Sequence, residues 1–306
     1  MKNTLPKVIR IEPSSMCNLS CRHCTTGIIR QNKLEYNAEI MNIDLFDLLA
    51  VQIEEHIETI KVVVLYHGGE PLINKKISYM VKRLKDIGVE FVKTVSNGMF
   101  LTDEMCSELI LAGLDAIEIS LDGRTEIENN FIRRGSDAKK IIAAIKRFIS
   151  IKSKHKSVIP SIYLASTQFE ADSFPLFLYE AFEKEIQTGE IKEIKTVRAM
   201  KWFDMGMSSG ESPDFEFIGT QSNEFIRFCD SLENTMTIRS VGQVVACCYD
   251  LTSKMIFGDA NTEKLIDIWY GEKRRKVLDG VRNGTPGRYC LKCNAINPNC
   301  FLKLKS

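Results

Sequence analysis

The sequence predicts an α/β protein in which a parallel sheet carries helices on its outside. A small cysteine-rich region built from a β-hairpin and a helix follows. Three observations lead there. Through residues 7–200, short Val- and Ile-rich runs bounded by Gly, Asn, Asp or Pro alternate with segments whose apolar residues recur at helical spacing. The chain has 306 residues and 44% hydrophobic content, room for one large or two ordinary domains with a substantial core. The ten cysteines divide unevenly: Cys17, Cys21 and Cys24 lie at the start, Cys106 stands alone, and six follow residue 228. That asymmetry predicts two domains, 1–205 and 206–306, each built around its own metal site.

The strands are expected at residues 8–12, 61–65, 89–95, 115–121, 158–166 and 193–199. Between them, residues 44–57 place Leu45, Leu48, Leu49, Ile53 and Ile57 on one helical face, and 74–87 do the same with Ile77, Met80, Val81 and Leu84. A third helix begins at Thr102 and stops at Gly113. Residues 137–151 and 174–187 supply two more. Six β/α units imply a parallel sheet with right-handed crossovers, but periodicity does not choose between a barrel and a flat doubly wound sheet. In either, ligands bind at the C-terminal ends of the strands, so the loops that follow them hold the chemistry.

After the first strand comes Cys17-Asn18-Leu19-Ser20-Cys21-Arg22-His23-Cys24. Three thiolates this close bind metal or do redox chemistry in a reducing compartment. They suit three corners of a [4Fe–4S] cluster with one iron left open. The alternative is a zinc site with His23 as fourth ligand, although His23 sits between Arg22 and Cys24, too near to reach the same metal easily. Later strands end in Tyr66-His67-Gly68-Gly69-Glu70-Pro71, Ser96-Asn97-Gly98 and Ser120-Leu121-Asp122-Gly123, with Arg133 and Arg134 close behind.

Cys17, Cys21 and Cys24 after a first strand resemble the signature of radical S-adenosylmethionine (SAM) enzymes. The resemblance covers roughly residues 6–300 and implies a partial (β/α)6 barrel. By it, the three cysteines carry a [4Fe–4S] cluster that SAM chelates. Gly68, Gly69 and Glu70 match the motif that contacts the SAM ammonium. His23 takes the position beside adenine; Ser96, Asn97, Ser120 and Asp122 become SAM-site residues. Arg133, rather than Arg134, pairs with the SAM carboxylate in a bidentate fork. The run Ala165-Ser166-Thr167-Gln168 either faces SAM or substrate or caps a helix, and the run 200–205 is expected at the substrate rim, before a linker at 206–214.

In the second half, alternating apolar residues flank Val241-Gly242-Gln243 and predict a hairpin, followed by a helix over 262–281. Twelve residues separate Cys229 from Gly242 and four separate Gly242 from Cys247, and Cys290 and Cys293 close the set. This is similar to a Twitch or SPASM auxiliary-cluster domain. It implies one auxiliary [4Fe–4S] cluster held by Cys229, Cys247, Cys290 and Cys293, because Cys248 and Cys300 cannot ligate another cube. A zinc ribbon has similar spacing. Cys248 is expected on a strand beside Cys247, facing the other way and so free.

The resemblance implies a radical that abstracts hydrogen from a substrate carbon. The expected reaction is oxidation of a small hydroxylated, sugar- or cyclitol-like substrate, as in aminocyclitol dehydrogenases. Epimerisation with Cys248 as hydrogen donor, peptide maturation, and a non-enzymatic two-zinc binding module are the alternatives. An electron donor such as flavodoxin or ferredoxin is an expected partner. The absence of an extra N-terminal domain tilts the expectation toward a small substrate. Net charge is +1, with no apolar run of transmembrane length and no apolar signal core. A cytoplasmic protein without nucleic-acid or membrane partners is therefore expected. Cys106 reads as a core residue and Cys300 as a spare thiol.

Overall fold

The computed structural model describes residues 4–32, 37–170, 172–199, 214–218, 224–291, 293–297 and 301–305. Six strands, β1 (Val8–Ile11), β2 (Val62–Leu65), β3 (Phe91–Ser96), β4 (Ala116–Ser120), β5 (Ser161–Gln168) and β6 (Ile191–Arg198), lie in sequence order with parallel neighbours. Each matches an expected strand to within a few residues. The start of β5 waits until after Pro160, which has no N–H to give a ladder.

The helices are α1 (Thr25–Gln31), α2 (Ile43–Glu54), α3 (Ile77–Asp86), α4 (Asp103–Leu111), α5 (Glu126–Ile132), α6 (Ala138–Lys154), α7 (Leu176–Ala181) and α8 (Glu183–Gln187). Thr102 caps α4 by accepting from Met105 N at 3.2 Å, and Asp137 caps α6 through Lys140 N at 3.2 Å. The single helix expected over 174–187 divides at Phe182, whose backbone leaves helical geometry while its ring is fully buried. Short α1 and α5 were not expected; seven residues each offer too little periodicity to read.

Helices cover one face of the sheet. Ile9, Ile11, Val63, Val92 and Ile117 are buried there against Phe46, Leu49, Met80, Leu84 and Phe148. Each such side chain contributes roughly 1.5–3 kcal/mol by leaving water. The other face is only half-buried, as the alternation along β5 shows. Parallel sheets usually read apolar on both faces; here the inner face carries half-buried polar residues such as Arg10, Lys93 and Glu118.

Among the described residues, most strands of the second cysteine region join the first sheet, and only its first and last strands pair separately. After β7 (Phe215–Ile218) and α9 (Asp230–Asn234), strand β8 (Thr235–Ile238) adds in parallel to the open edge of β1. Strands β9 (Gln243–Val245) and β10 (Ile256–Asp259) then continue antiparallel, giving one nine-stranded sheet. The expected hairpin is β8–β9, and β10 is an addition the sequence did not announce. The helix expected over 262–281 is two, α10 (Leu265–Trp269) and α11 (Glu272–Arg282), broken at extended Gly271. A last turn, α12 (Arg288–Leu291), carries Cys290, and β11 (Phe301–Leu304) pairs antiparallel with β7.

Candidate active site

The cysteine loop after β1 is held from three sides. Ser20 N and Arg22 N donate to Arg134 O and Ile132 O, both at 2.9 Å. Glu70 N donates to Met16 O at 2.7 Å. Gly69 lies so close beneath the loop that a Cβ there would stand 2.2 Å from Ser14 O. This approach requires glycine. Thr26 Oγ1 donates to Gly68 O at 3.2 Å, joining the start of α1 to the same loop. Arg22 forks onto Asp214 at 2.9 Å and lies over the Phe131 ring.

The cavity so formed measures about 640 Å³ including its open mouth. Cys17, Cys21, His23, Cys24, Gly68, Gly69, Glu70, Ser96, Asn97, Ser120 and Arg133 all line it. Those are the expected residues with one exception, Asp122. Arg134 is exposed and is not among the lining residues. Tyr66, His67, Thr26 and Leu251 also line it and were not singled out. Leu251 comes from the far end of the chain, a contact no local spacing encodes.

Glu70 is buried, and burial raises its pKa. Its carboxyl accepts from Leu72 N at 3.0 Å, Ser96 Oγ at 2.9 Å and Asn97 N at 2.7 Å. Three of roughly four acceptor positions are thus committed to the protein. Glu70 ties the ends of β2 and β3 together and keeps limited capacity for a ligand ammonium.

Asp122 requires a correction. It does not contact the cavity but stands behind it, accepting from Arg133 Nη1 at 2.8 Å and Thr167 N at 2.9 Å. Burial opposes ionisation, yet Arg133 and then His23 hold the carboxyl below its usual range. Arg133 is therefore not free to offer its whole fork to a ligand; one arm is spent on Asp122, while its Nε is buried without a partner. His23 Nε2 lies 3.7 Å from the same carboxylate and its ring meets Phe169 edge-on at 5.4 Å. Burial lowers the His23 pKa, so the ring is neutral. The 165–168 run serves this arrangement from behind: Gln168 Nε2 donates to Gly123 O at 2.8 Å.

One buried carboxylate joins the two cysteine regions. Glu12 accepts from Gly68 N at 2.8 Å, Ser240 N at 3.0 Å and Arg239 Nε at 3.2 Å, with His67 Nδ1 at 3.3 Å. Its position at the end of the first expected strand was legible; its partners, more than fifty residues away, were not.

The second set forms a separate void of about 370 Å³ lined by Cys229, Cys247, Cys290 and Cys293 among Leu232, Met255, Val281 and Ile296. Cys293 N donates to Cys290 O at 3.0 Å, closing the CxxC turn. Cys248 does not line it; its Sγ is 3.7 Å from Ser231 Oγ. The expected reason was wrong. Cys247 and Cys248 lie in the bend after β9 rather than on a strand, so turn geometry separates them, not strand alternation. Cys106 is buried on α4 among the core residues. Cys300 and the 200–205 run lie outside the described residues, as does the 206–214 linker apart from Asp214.

Burial pushes the thiols of Cys17 and Cys21 up to about 11 and 12, and those of Cys290 and Cys293 to about 11 and 12. Metal binding at such thiols releases protons. Among the described residues, no three His, Cys, Asp or Glu side chains converge closely enough for one ion. A zinc needs its donors about 2.0–2.3 Å from one point. Thiols spread around a void suit a bulkier iron–sulfur cluster.

Comparison with known proteins agrees. The chain matches the radical SAM superfamily over residues 11–164 and the SPASM iron–sulfur cluster-binding domain over 229–294. It is 28% identical over 172 residues to a GTP 3′,8-cyclase of Clostridium botulinum, covering 54% of this chain and 50% of that one. It is thus similar to about half the length of that relative. A GTP 3′,8-cyclase of Aliarcobacter butzleri is 22% identical over 271 residues, covering 79% and 80%. The fold resembles that of BtrN in complex with AdoMet and 2-DOIA, with TM-score 0.60, 15% identity and 96% and 94% of the chains covered. Streptococcus suis SuiB bound to precursor peptide SuiA gives TM-score 0.57, 17% identity and coverage of 95% and 70%. Identities this low speak to fold alone. The two-zinc, non-enzymatic alternative is overturned by the two family matches. The chain belongs to the radical SAM superfamily, as an enzyme that binds SAM and [4Fe–4S] clusters in a partial barrel with a SPASM-type auxiliary-cluster region.

Proposed function

We propose that the protein oxidises a small hydroxylated, sugar- or cyclitol-like substrate. A cluster and SAM held there would supply a 5′-deoxyadenosyl radical able to take a hydrogen atom from a substrate C–H. Cys17, Cys21 and Cys24 hold that cluster. Gly68, Gly69 and the remaining acceptor capacity of Glu70 receive the SAM ammonium, and Arg133 its carboxylate. His23, Ser96, Asn97 and Ser120 line the nucleoside side, with Asp122 acting through Arg133 and His23. Cys229, Cys247, Cys290 and Cys293 hold one auxiliary cluster.

The observation that carries the oxidative reading is the closed second void. Four cysteines line it, enough to fill every iron of a cube, so a cluster there has no open iron and suits electron transfer. Oxidation of CH–OH to C=O then balances. One hydrogen atom goes to the 5′ carbon, the hydroxyl proton to solvent, and the remaining electron to the auxiliary cluster. A flavodoxin- or ferredoxin-type donor supplies the first electron and takes away the second. The protein would work in the cytoplasm; among the described residues no helix is long and apolar enough to cross a membrane.

A second reading, epimerisation, draws on Cys248. It stands outside the four-cysteine void, yet near enough to act electrostatically on the phenol of Tyr66, which lines the SAM cavity. Peptide maturation would use the same site on a different substrate.

Anaerobic turnover with SAM and dithionite in deuterated buffer, against hydroxylated small molecules and short peptides, tests the proposal. Mass spectrometry is expected to find product lighter by two hydrogens. Product carrying one solvent deuterium at carbon would replace oxidation by epimerisation. No 5′-deoxyadenosine at all would overturn both.

A further inference from the structure

We infer that the floor beneath the SAM cavity is an anion cradle, in which Arg10 and Lys93 bind a carboxylate or phosphate carried by the substrate. This rests on the oxidoreductase reading and narrows its substrate to a hydroxylated acid or phosphate ester.

Strand register sets the geometry. Arg10 on β1 is opposite Val64 on β2, and Val64 is opposite Lys93 on β3. Residues in one such row share a face of the sheet. Two residues further along the same face stand Tyr66 and Val95, both of which line the SAM cavity. Arg10 and Lys93 therefore lie one layer below it, about 7 Å deeper at the strand rise. Their Cα atoms are two strands apart, about 10 Å, with only Val64 between them. Both long side chains can close over that valine onto one anion.

The charges on this face do not cancel. Glu118, opposite Val95, is spent on Lys195 at 2.8 Å, and Lys195 also sits over the Tyr163 ring at 4.6 Å. Glu193, the next carboxylate on the face, is exposed and lies beside Lys195. Arg10 makes one long contact, Nη1 to Thr237 Oγ1 at 3.5 Å, and its Nε is buried with no hydrogen-bond partner. Neither Arg10 nor Lys93 forms an ion pair among the described residues. Burial lowers the Lys93 pKa; Glu118 opposes this, and Lys195 and Arg10 add to it. Both side chains are half-buried, and cations partly withdrawn from water are normally paired. A neutral polyol would leave both unpaired, whereas a carboxylate or phosphate accepts the guanidinium fork and the ammonium together.

The test is equilibrium binding by calorimetry to the anaerobically reconstituted protein with SAM present. Inorganic phosphate, succinate and the neutral polyol myo-inositol are the probes. Saturable binding of phosphate or succinate, but not myo-inositol, is expected; whichever anion binds more tightly identifies the group. Arg10→Gln and Lys93→Met are each expected to weaken that binding about tenfold or more, the scale of a lost charge-assisted hydrogen bond. Arg10→Lys should restore part of it. Near-ultraviolet circular dichroism and iron content show whether each variant is folded. Absence of anion binding, or equal binding by a folded Arg10→Gln/Lys93→Met double variant, overturns the cradle. Failure of the underlying reading has a different signature, read in turnover rather than in binding: wild-type product would then carry solvent deuterium instead of losing two hydrogens, or no 5′-deoxyadenosine would form with SAM and dithionite.

Discussion

Replacing Glu12 by Gln tests how the two cysteine regions are joined. The carboxylate is fully buried and meets two backbone N–H groups, Arg239 and His67. Burial alone would raise its pKa; His67, Arg239 and Ser240 outweigh burial and hold it at about 2, against 4.5 when unperturbed. A displacement of that size is worth about 3 kcal/mol at neutral pH. The sign follows from the lowered value: the stabilisation is complete above pH 4.5 and is lost as pH falls from there to about 2. Gln keeps the shape but removes the charge facing Arg239 and turns an NH2 group toward N–H donors. Removing one partner of a buried ion pair typically costs about 3–5 kcal/mol, in line with the linkage figure. The assay is anaerobic urea unfolding of the reconstituted protein between pH 6 and 9. The expected loss is about 3 kcal/mol, with Glu12 ionised across that range. A loss below about 1 kcal/mol, the scale of an exposed ion pair, would refute the reasoning.

Arg133→Met should leave Asp122 buried without its cation, costing about 3–5 kcal/mol and raising the KM for SAM. Part of the stability loss should return at lower pH, where Asp122 can protonate; denaturation at two pH values checks this. Gly69→Ala would place a methyl 2.2 Å from Ser14 O and 2.5 Å from Met16 O, both backbone. The cysteine loop must shift, at a cost of about 1–3 kcal/mol, and iron per chain measured after reconstitution should fall. Cys293→Ser should lower iron from about eight to about four atoms per chain. It should keep 5′-deoxyadenosine formation and abolish the oxidised product; oxidised product at wild-type yield would remove the auxiliary cluster from the reaction. Cys248→Ala should leave oxidised product unchanged, whereas 5′-deoxyadenosine formed without product, where wild-type product carries solvent deuterium, would favour epimerisation.

The sequence by itself determined the six β/α units, because each strand and most helices carry their own periodicity and boundary residues. It also determined both cysteine sets, because metal-ligand spacing survives as spacing along the chain. Nearly all the residues expected at one site line one cavity, and they were legible for the same reason: they follow strand ends, and strand ends of a parallel sheet converge. Tertiary structure decided what depends on partners distant in sequence. Glu12 meets Arg239 and Ser240 only because β8 adds to the edge of β1. Asp122 and Arg133, eleven residues apart, meet as a buried ion pair only because the fold brings the end of β4 beside the end of α5. Arg10 and Lys93 are 83 residues apart and read separately as ordinary strand charges. Only strand register puts them in one row, and neither forms an ion pair among the described residues.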